Sequence, residues 1–234
     1  MTCANSADMS NSTVSTVAID GPSASGKSTV ARRVAQELKF AYVDSGALYR
    51  GLTWKALREG LDVTRPEAVV ELTTRIRLDF FMQHTSVRFA IDGEEPGDQL
   101  RSEPVRERVS DVAAIPEVRS YLVRHLRQTT RFGSLVMEGR DIGTVVFPDS
   151  PHKFYLDADP AERARRRHKE LEAKESDSDV AKVLNSLRRR DMKDSTRKAA
   201  PLQIALGAQV IDSTGLSIEQ VVQAIVARVR GAGG

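Results

Sequence analysis

With 234 residues, 40% of them apolar and 29% charged, the chain has enough apolar material to bury a substantial core, which excludes disordered and fibrous classes. One cysteine, Cys3, excludes an intramolecular disulfide framework and a cysteine-clustered zinc site, and His84, His125, His152 and His168 are too scattered for a structural metal. The formal net charge is +3, but the surplus lies in residues 161–198 while residues 1–160 are slightly acidic, which suits a compact polyanion better than a nucleic acid.

In chain order, residues 1–14 are rich in Ser, Thr and Asn without an apolar period and read as a loose tail. No Lys or Arg precedes Lys27 and no apolar run is long enough to span a membrane, so a cytoplasmic location is expected. An apolar run from Val14 to Asp20 predicts a strand, followed by a Gly/Ser loop. Val30, Val34 and Leu38 then recur at helical spacing beside Ala31 and Ala35. Further strands are predicted at Phe40–Val43, Leu135–Met137 and Lys153–Leu156, each flanked by helical stretches. Alternating strands and helices imply an α/β fold with a parallel sheet covered on both faces. Between Arg75 and Ile91 the β-branched and aromatic pattern, ending in Asp92-Gly93, predicts an antiparallel insertion. Helices follow at 105–113 and 116–131, the second opened by Pro116, and a stripe from Ile218 to Val229 predicts a closing helix. Residues 15–230 are expected to form one domain, with 231–234 as a loose end.

Gly21-Pro22-Ser23-Ala24-Ser25-Gly26-Lys27-Ser28-Thr29 fits the phosphate-loop pattern G-x-x-x-x-G-K-[ST] in the strand-to-helix context it requires. Its glycines let backbone N–H groups turn inward around phosphate oxygens, and the helix N-terminus adds partial positive charge. Lys27 is placed to reach the β and γ phosphates and Ser28 to meet a magnesium ion bridging them, so ATP or GTP with Mg²⁺ is implied. The motif leaves kinase, GTPase and ATPase open, although no Asn-Lys-x-Asp guanine-reading segment is present. Asp157, closing the strand FYLD, is read as a turn residue rather than a magnesium ligand.

Past the second strand lies Tyr42-Val43-Asp44-Ser45-Gly46-Ala47-Leu48-Tyr49-Arg50, where open α/β sheets place ligands. Together with Glu138-Gly139-Arg140-Asp141-Ile142-Gly143-Thr144-Val145-Val146-Phe147-Pro148 and RRRDMKDSTRKAAPL from Arg188, it resembles the bacterial-type cytidylate kinases over residues 16 to 230. The resemblance implies a P-loop kinase core, a monophosphate-binding part at about 45–131 and a short arginine-bearing lid at about 161–180. It implies transfer of a phosphoryl group from ATP to CMP or dCMP. Ser23, Arg50 and Arg140 would hold the acceptor phosphate, Ser45, Asp141 and Arg190 the ribose, and Ser110, Arg119, Asp194 and Arg197 the cytosine or its surroundings.

The chemistry of those residues suits the assignment. Cytosine offers an N4 donor beside N3 and O2 acceptors, so an Asp facing N4 and an Arg facing N3 or O2 fit it. Uracil would leave buried groups unpaired at about 1 to 3 kcal/mol each. Ala161 to His168, after an Asp159 cap and Pro160, predicts a helix with Arg163, Arg166 and Arg167 on one side. Lys27, Arg163, Arg167 and Arg190 are the candidates for stabilising the transferring phosphoryl group. Asp44 is left open between orienting a magnesium-bound water and capping the next helix. Tyr49, Trp54, Phe80 and Phe81 are read as core. Gly207 stands where the family usually has Asp, which leaves the bracing after Pro201 and the adenine contacts open. Alternatives are a UMP, AMP or dTMP kinase, or a P-loop ATP-binding switch; an RNA-binding role ranks last because aromatic residues make up only 5% of the chain. A monomer acting on small molecules, without nucleic acid or membrane partners, is expected.

Overall fold

The computed structural model describes residues 14–172 and 179–231. Residues 1–13 of the expected tail, 173–178 within the expected lid and 232–234 lie outside the described residues. The elements run β1 (Thr16–Asp20), α1 (Lys27–Leu38), β2 (Ala41–Asp44), α2 (Ser45–Arg58), α3 (Pro66–Arg75), β3 (Leu78–Gln83), β4 (Ser86–Ile91), α4 (Glu103–Val112), α5 (Pro116–Arg127), β5 (Leu135–Gly139), β6 (His152–Asp157), α6 (Pro160–Glu172), α7 (Val180–Thr196), β7 (Gln209–Asp212) and α8 (Ile218–Gly231). Short 3₁₀ turns occupy Gly97–Arg101 and Gln128–Phe132, and a π-helical turn occupies Ile142–Val146.

One seven-stranded sheet has the order β3-β4-β2-β5-β1-β6-β7. The five strands from β2 to β7 in that order are parallel, and β3 and β4 form the expected antiparallel pair. Side chains alternate across the sheet as the pleat requires. Val17, Ile19, Tyr42, Val136, Phe154 and Leu156 face one layer, where α1 and α8 supply Val30, Val34, Val222 and Ile225. Ala18, Val43, Leu135 and Met137 face the other, where α2 to α5 supply Leu52, Leu72, Val109 and Leu122. Both faces are covered, as the sequence predicts.

The departures are local. The chain turns between β3 and β4 at His84 and Thr85, with His84 at φ 53. Asp92-Gly93 instead closes the far end of β4, where the Ile91 and Glu94 backbones exchange bonds of 2.9 and 3.0 Å. The helix expected to reach residue 131 is α-helical only to Arg127 and tightens into the 3₁₀ turn. Within β7 only Ile211 is buried, so that strand carries too little apolar pattern to announce itself. No helix among the described residues is long and apolar enough to cross a membrane.

The fold places the loop after β1 at the carboxyl end of the sheet, between β5 and β6, in the crevice that such topology leaves for ligands. Gly21 makes this entry possible: at φ 151, a Cβ there would lie 2.1 Å from the Leu156 carbonyl oxygen of β6. Gly207, in the segment after Pro201, has open space around it, and only its backbone conformation favours glycine. It adopts φ 77, the Ala208 N–H donates to Ala205 O at 3.0 Å, and Lys153 Nζ donates to Leu206 O at 3.3 Å. A left-handed turn and Lys153 thus brace the segment where the family usually has Asp. Gly21→Ala is expected to lower unfolding stability by about 3 kcal/mol or more, read by denaturant melts, because backbone rather than a movable side chain blocks the new methyl group.

Candidate active site

The loop ends at Gly26 and α1 opens with Lys27, which is only 4% exposed. Lys27 Nζ folds back on its own loop, donating to Pro22 O at 2.6 Å and Ser25 Oγ at 3.4 Å. Burial, then the nearby Arg140 and Arg190 guanidinium groups, press its pKa down to about 7 against the pull of Glu138 and Asp20. An ammonium so poor in counter-charge is built to receive an anion. Ser28 beside it donates to the buried Glu138 carboxylate, which also accepts from Tyr42 Oη at 3.0 Å. Burial and the Asp44 charge raise the Glu138 carboxyl above its ordinary range.

Asp20, the last residue of β1, holds the next element in register. Its two carboxylate oxygens accept from Ile142 N at 2.8 Å and Gly143 N at 2.7 Å, capping the start of the π-helical turn. Burial raises this carboxyl to about 6, partly offset by those two bonds. The turn therefore carries Arg140 and Asp141, just before it, to the mouth of the phosphate loop.

There acidic and basic residues of the second and third motifs form one ladder with Arg119 of α5. Arg140 Nε donates to Asp194 Oδ2 at 2.9 Å. Arg197 stands 3.8 Å from Asp194 Oδ1 and 3.9 Å from Asp141 Oδ1, and Arg119 closes the ladder on Asp141 Oδ2. Arg119 also donates to Ala113 O at 3.0 Å. Arg190 lies over the same crevice. Burial lowers its pKa to about 10, with Arg140 and Arg50 adding repulsion. Arg50 pairs with Asp44 at 2.7 Å, and the other Asp44 oxygen caps α2 at Ala47 N, 2.9 Å away. Asp44 thus caps α2 and has Arg50 as its second partner. Among the described residues, Nε of Arg50, Nε of Arg190 and Nη2 of Arg197 are buried without a hydrogen-bond partner. Unpaired guanidinium donors at this depth are costly unless a ligand completes them.

Helices α6 and α7 pack together through Ala164, Val183 and Leu187. Asp159 caps α6 as expected, accepting from Ala161 N at 2.8 Å. The side of α6 that carries Arg163, Arg166 and Arg167 does not act as one unit. Arg163 reaches the loop, donating to Ser23 O at 3.1 Å and Ala158 O at 3.0 Å. Arg166 reaches Ser213 O at 2.7 Å, and Ser213 Oγ contacts Ser25 O at 3.3 Å. Arg167 pairs outward with Glu170 at 2.8 Å. Asp191 of α7 completes a ring. It accepts the Ser23 N–H at 3.1 Å through one oxygen and pairs with Arg163 through the other.

Of the residues expected from sequence, Ser23, Lys27, Arg50, Arg119, Arg140, Asp141, Arg163, Arg190, Asp194 and Arg197 converge on this crevice. Ser45 is buried at its edge, donating to Glu138 O at 2.7 Å. Ser110 sits half-buried on α4, and Arg167 pairs with Glu170. Arg119 and Arg140 occupy opposite ends of the ladder, and Asp194 is the rung next to Arg140. Asp20, Glu138, Asp191 and Ser213 were not singled out beforehand. Glu138 and Asp191 do lie inside the quoted motifs, next to Arg140 and Arg190, but nothing in their spacing tells a loop partner from a surface carboxylate. Asp157 accepts the N–H of Ala158 at 2.8 Å, as a turn residue does.

The sequence profile described as "Cytidylate kinase" matches residues 17–231. A cytidylate kinase of Caldanaerobacter subterraneus subsp. tengcongensis is 43% identical, covering 92% of this chain and 94% of that protein. Cytidylate kinases of Pelotomaculum thermopropionicum and Pseudomonas aeruginosa are each 44% identical, covering 91% and 92% of this chain and 95% of each relative. With nearly its whole length matched and its three motif segments gathered at one crevice, the chain belongs to the cytidylate kinase family.

Proposed function

We propose that the crevice transfers the γ-phosphoryl group of ATP to CMP or dCMP, giving ADP and CDP or dCDP. The observation that carries this reading is the adjacency of two anion-receptive sets. Lys27 and the loop amides form one. Arg50, Arg140 and Arg190 form the other, close enough that Arg140 and Arg190 both lower the Lys27 pKa. A donor triphosphate on the first and an acceptor monophosphate on the second would face each other for in-line displacement.

In this reading Gly21 to Thr29 wrap the donor phosphates, and Lys27 and Arg163 stabilise charge on the transferring group. Arg190 serves both nucleotides, and Arg167 turns inward from Glu170 when α6 closes as a lid and excludes water. Ser28, backed by the Glu138 carboxylate, offers the hard oxygen chemistry that suits Mg²⁺, which neutralises phosphate charge when bound. No side-chain base is required, because the acceptor phosphate is already an anionic nucleophile. Asp194, Arg197, Arg119 and Ser110 read the base, with Ser45, Asp141 and Arg190 on the sugar. In this reading the protein acts on small molecules, as a monomer in the cytoplasm.

Turnover of ATP with Mg²⁺ is expected with CMP and dCMP at rates far above UMP, AMP, dTMP or no acceptor, and Asp194→Ala is expected to erase that preference. Equal turnover without an acceptor would instead mark an ATPase or switch.

The Ser23–Asp191–Arg163 ring makes a separate prediction. Arg163→Ala should lower kcat by about a thousandfold, and adding Asp191→Asn should lower it little further, because both changes break one unit. Multiplying effects would refute the coupling.

Proton linkage supplies a third. In the ligand-free protein Lys27, near 7, is largely neutral at pH 8, and bound phosphate stabilises its charged form. ATP binding at pH 8 should therefore take up a proton, read by calorimetry in buffers of different ionisation enthalpy. Lys27→Met should abolish the uptake.

A further inference from the structure

Tyr49 reads as a core aromatic from the sequence, and its ring is one: it is 7% exposed and packs in the apolar layer beneath α2. Its hydroxyl does not belong to that layer. Tyr49 Oη is buried and has no hydrogen-bond partner among the described residues. The charged groups whose fields reach it are Asp141, Arg119 and Arg197, the upper rungs of the ladder, and the Arg119 guanidinium lies over its ring at 5.3 Å. Burial pushes the phenol up to about 12, so it carries its proton at neutral pH and is free to donate it.

Packing does not account for this oxygen. Phenylalanine would fill the same space without an unsatisfied group, and buried hydroxyls in folded proteins almost always find partners. Asp141 is an acceptor in the same neighbourhood, but its two oxygens are directed to Arg119 and Arg197. The unmet donor therefore sits beside the rungs that meet the acceptor nucleotide in the proposed reading, on which this inference rests.

We propose that Tyr49 is a substrate-reading residue whose hydroxyl hydrogen-bonds an oxygen on the nucleoside part of the acceptor. Such an oxygen is available on the cytosine ring and on the ribose, and the 2′-hydroxyl is separable from the others because dCMP lacks it. The ligand-free protein bears the cost of the unpaired hydroxyl, and the bound nucleotide removes it. Affinity and selectivity thus draw on a group that weakens the empty protein.

The test is Tyr49→Phe in the full chain, assayed with CMP and dCMP alongside thermal melts with and without CMP. The ligand-free variant is expected to melt at or above wild type, while kcat/KM for CMP falls about tenfold, the factor that about 1.4 kcal/mol represents, and the stabilisation conferred by CMP shrinks. Equal losses for CMP and dCMP support an oxygen that the two share, on the base or elsewhere on the sugar, and loss with CMP alone supports the 2′-hydroxyl. Unchanged kcat/KM for both nucleotides in the variant, with active wild type, overturns the role of Tyr49 and leaves the kinase reading intact. A variant that melts below wild type without ligand also overturns it, since the hydroxyl would then be structural. Wild-type protein that fails to phosphorylate CMP defeats the kinase reading itself, and this inference with it.

Discussion

Cationic side chains crowded into one crevice are the constraint around which this molecule is organised. Lys27, Arg140, Arg163, Arg190 and Arg197 lie at the carboxyl end of the sheet, and like charges in a low-dielectric setting repel strongly. Asp141, Asp191 and Asp194 keep them in place by pairing with some of them and leaving others underpaired. Lys27 and Arg190 register the residual strain as lowered proton affinity, with burial as the larger cause for each. Full neutralisation would leave nothing for a phosphate to do. The crevice instead stops short of balance, so that the bound anions finish the structure.

The surrounding fold converts that constraint into positions. Asp20 anchors the π-helical turn by its first two N–H groups, which fixes the backbone directly after Asp141. Such turns interrupt regular hydrogen bonding and are frequent at functional sites. Helix α7 contributes Arg190, Asp191 and Asp194, with Arg197 at its C-cap, so one segment of about two turns addresses both the loop and the acceptor side. Lys193 Nζ ties that helix to Asp111 of α4 at 2.7 Å, linking the lid side to the acceptor side across the crevice. A movement of α7 would therefore be felt by both nucleotide sites at once.

Much of this was legible in the residues. Apolar periodicity marks β1, α1, β5, β6 and α8, and the β-branched insertion marks the hairpin, because each buries a regular stripe or face. The loop at Gly21 to Thr29 is recognisable because its spacing is itself the phosphate-binding geometry. Elements without a strong period were less visible. Strand β7 buries one side chain of four, α5 changes into a 3₁₀ turn without a sequence marker, and the β3–β4 reversal falls on His84 and Thr85 while the stronger turn signal, Asp92-Gly93, lies beyond β4.

What the sequence determined alone was the α/β class, the phosphate loop and the set of charged residues that its three motifs carry. Those depend on local spacing, which the chain cannot conceal. Only the tertiary structure decided which carboxylate holds which arginine, that Asp191 rather than Arg167 completes the loop's partner set, and that Tyr49 buries a hydroxyl with nothing to bond. Such pairings join residues from distant segments, as with Asp20 and Gly143, Ser23 and Asp191, or Arg119 and Asp141. Side-chain partnership depends on distance in space and on what else is buried nearby, and no spacing along the chain encodes either.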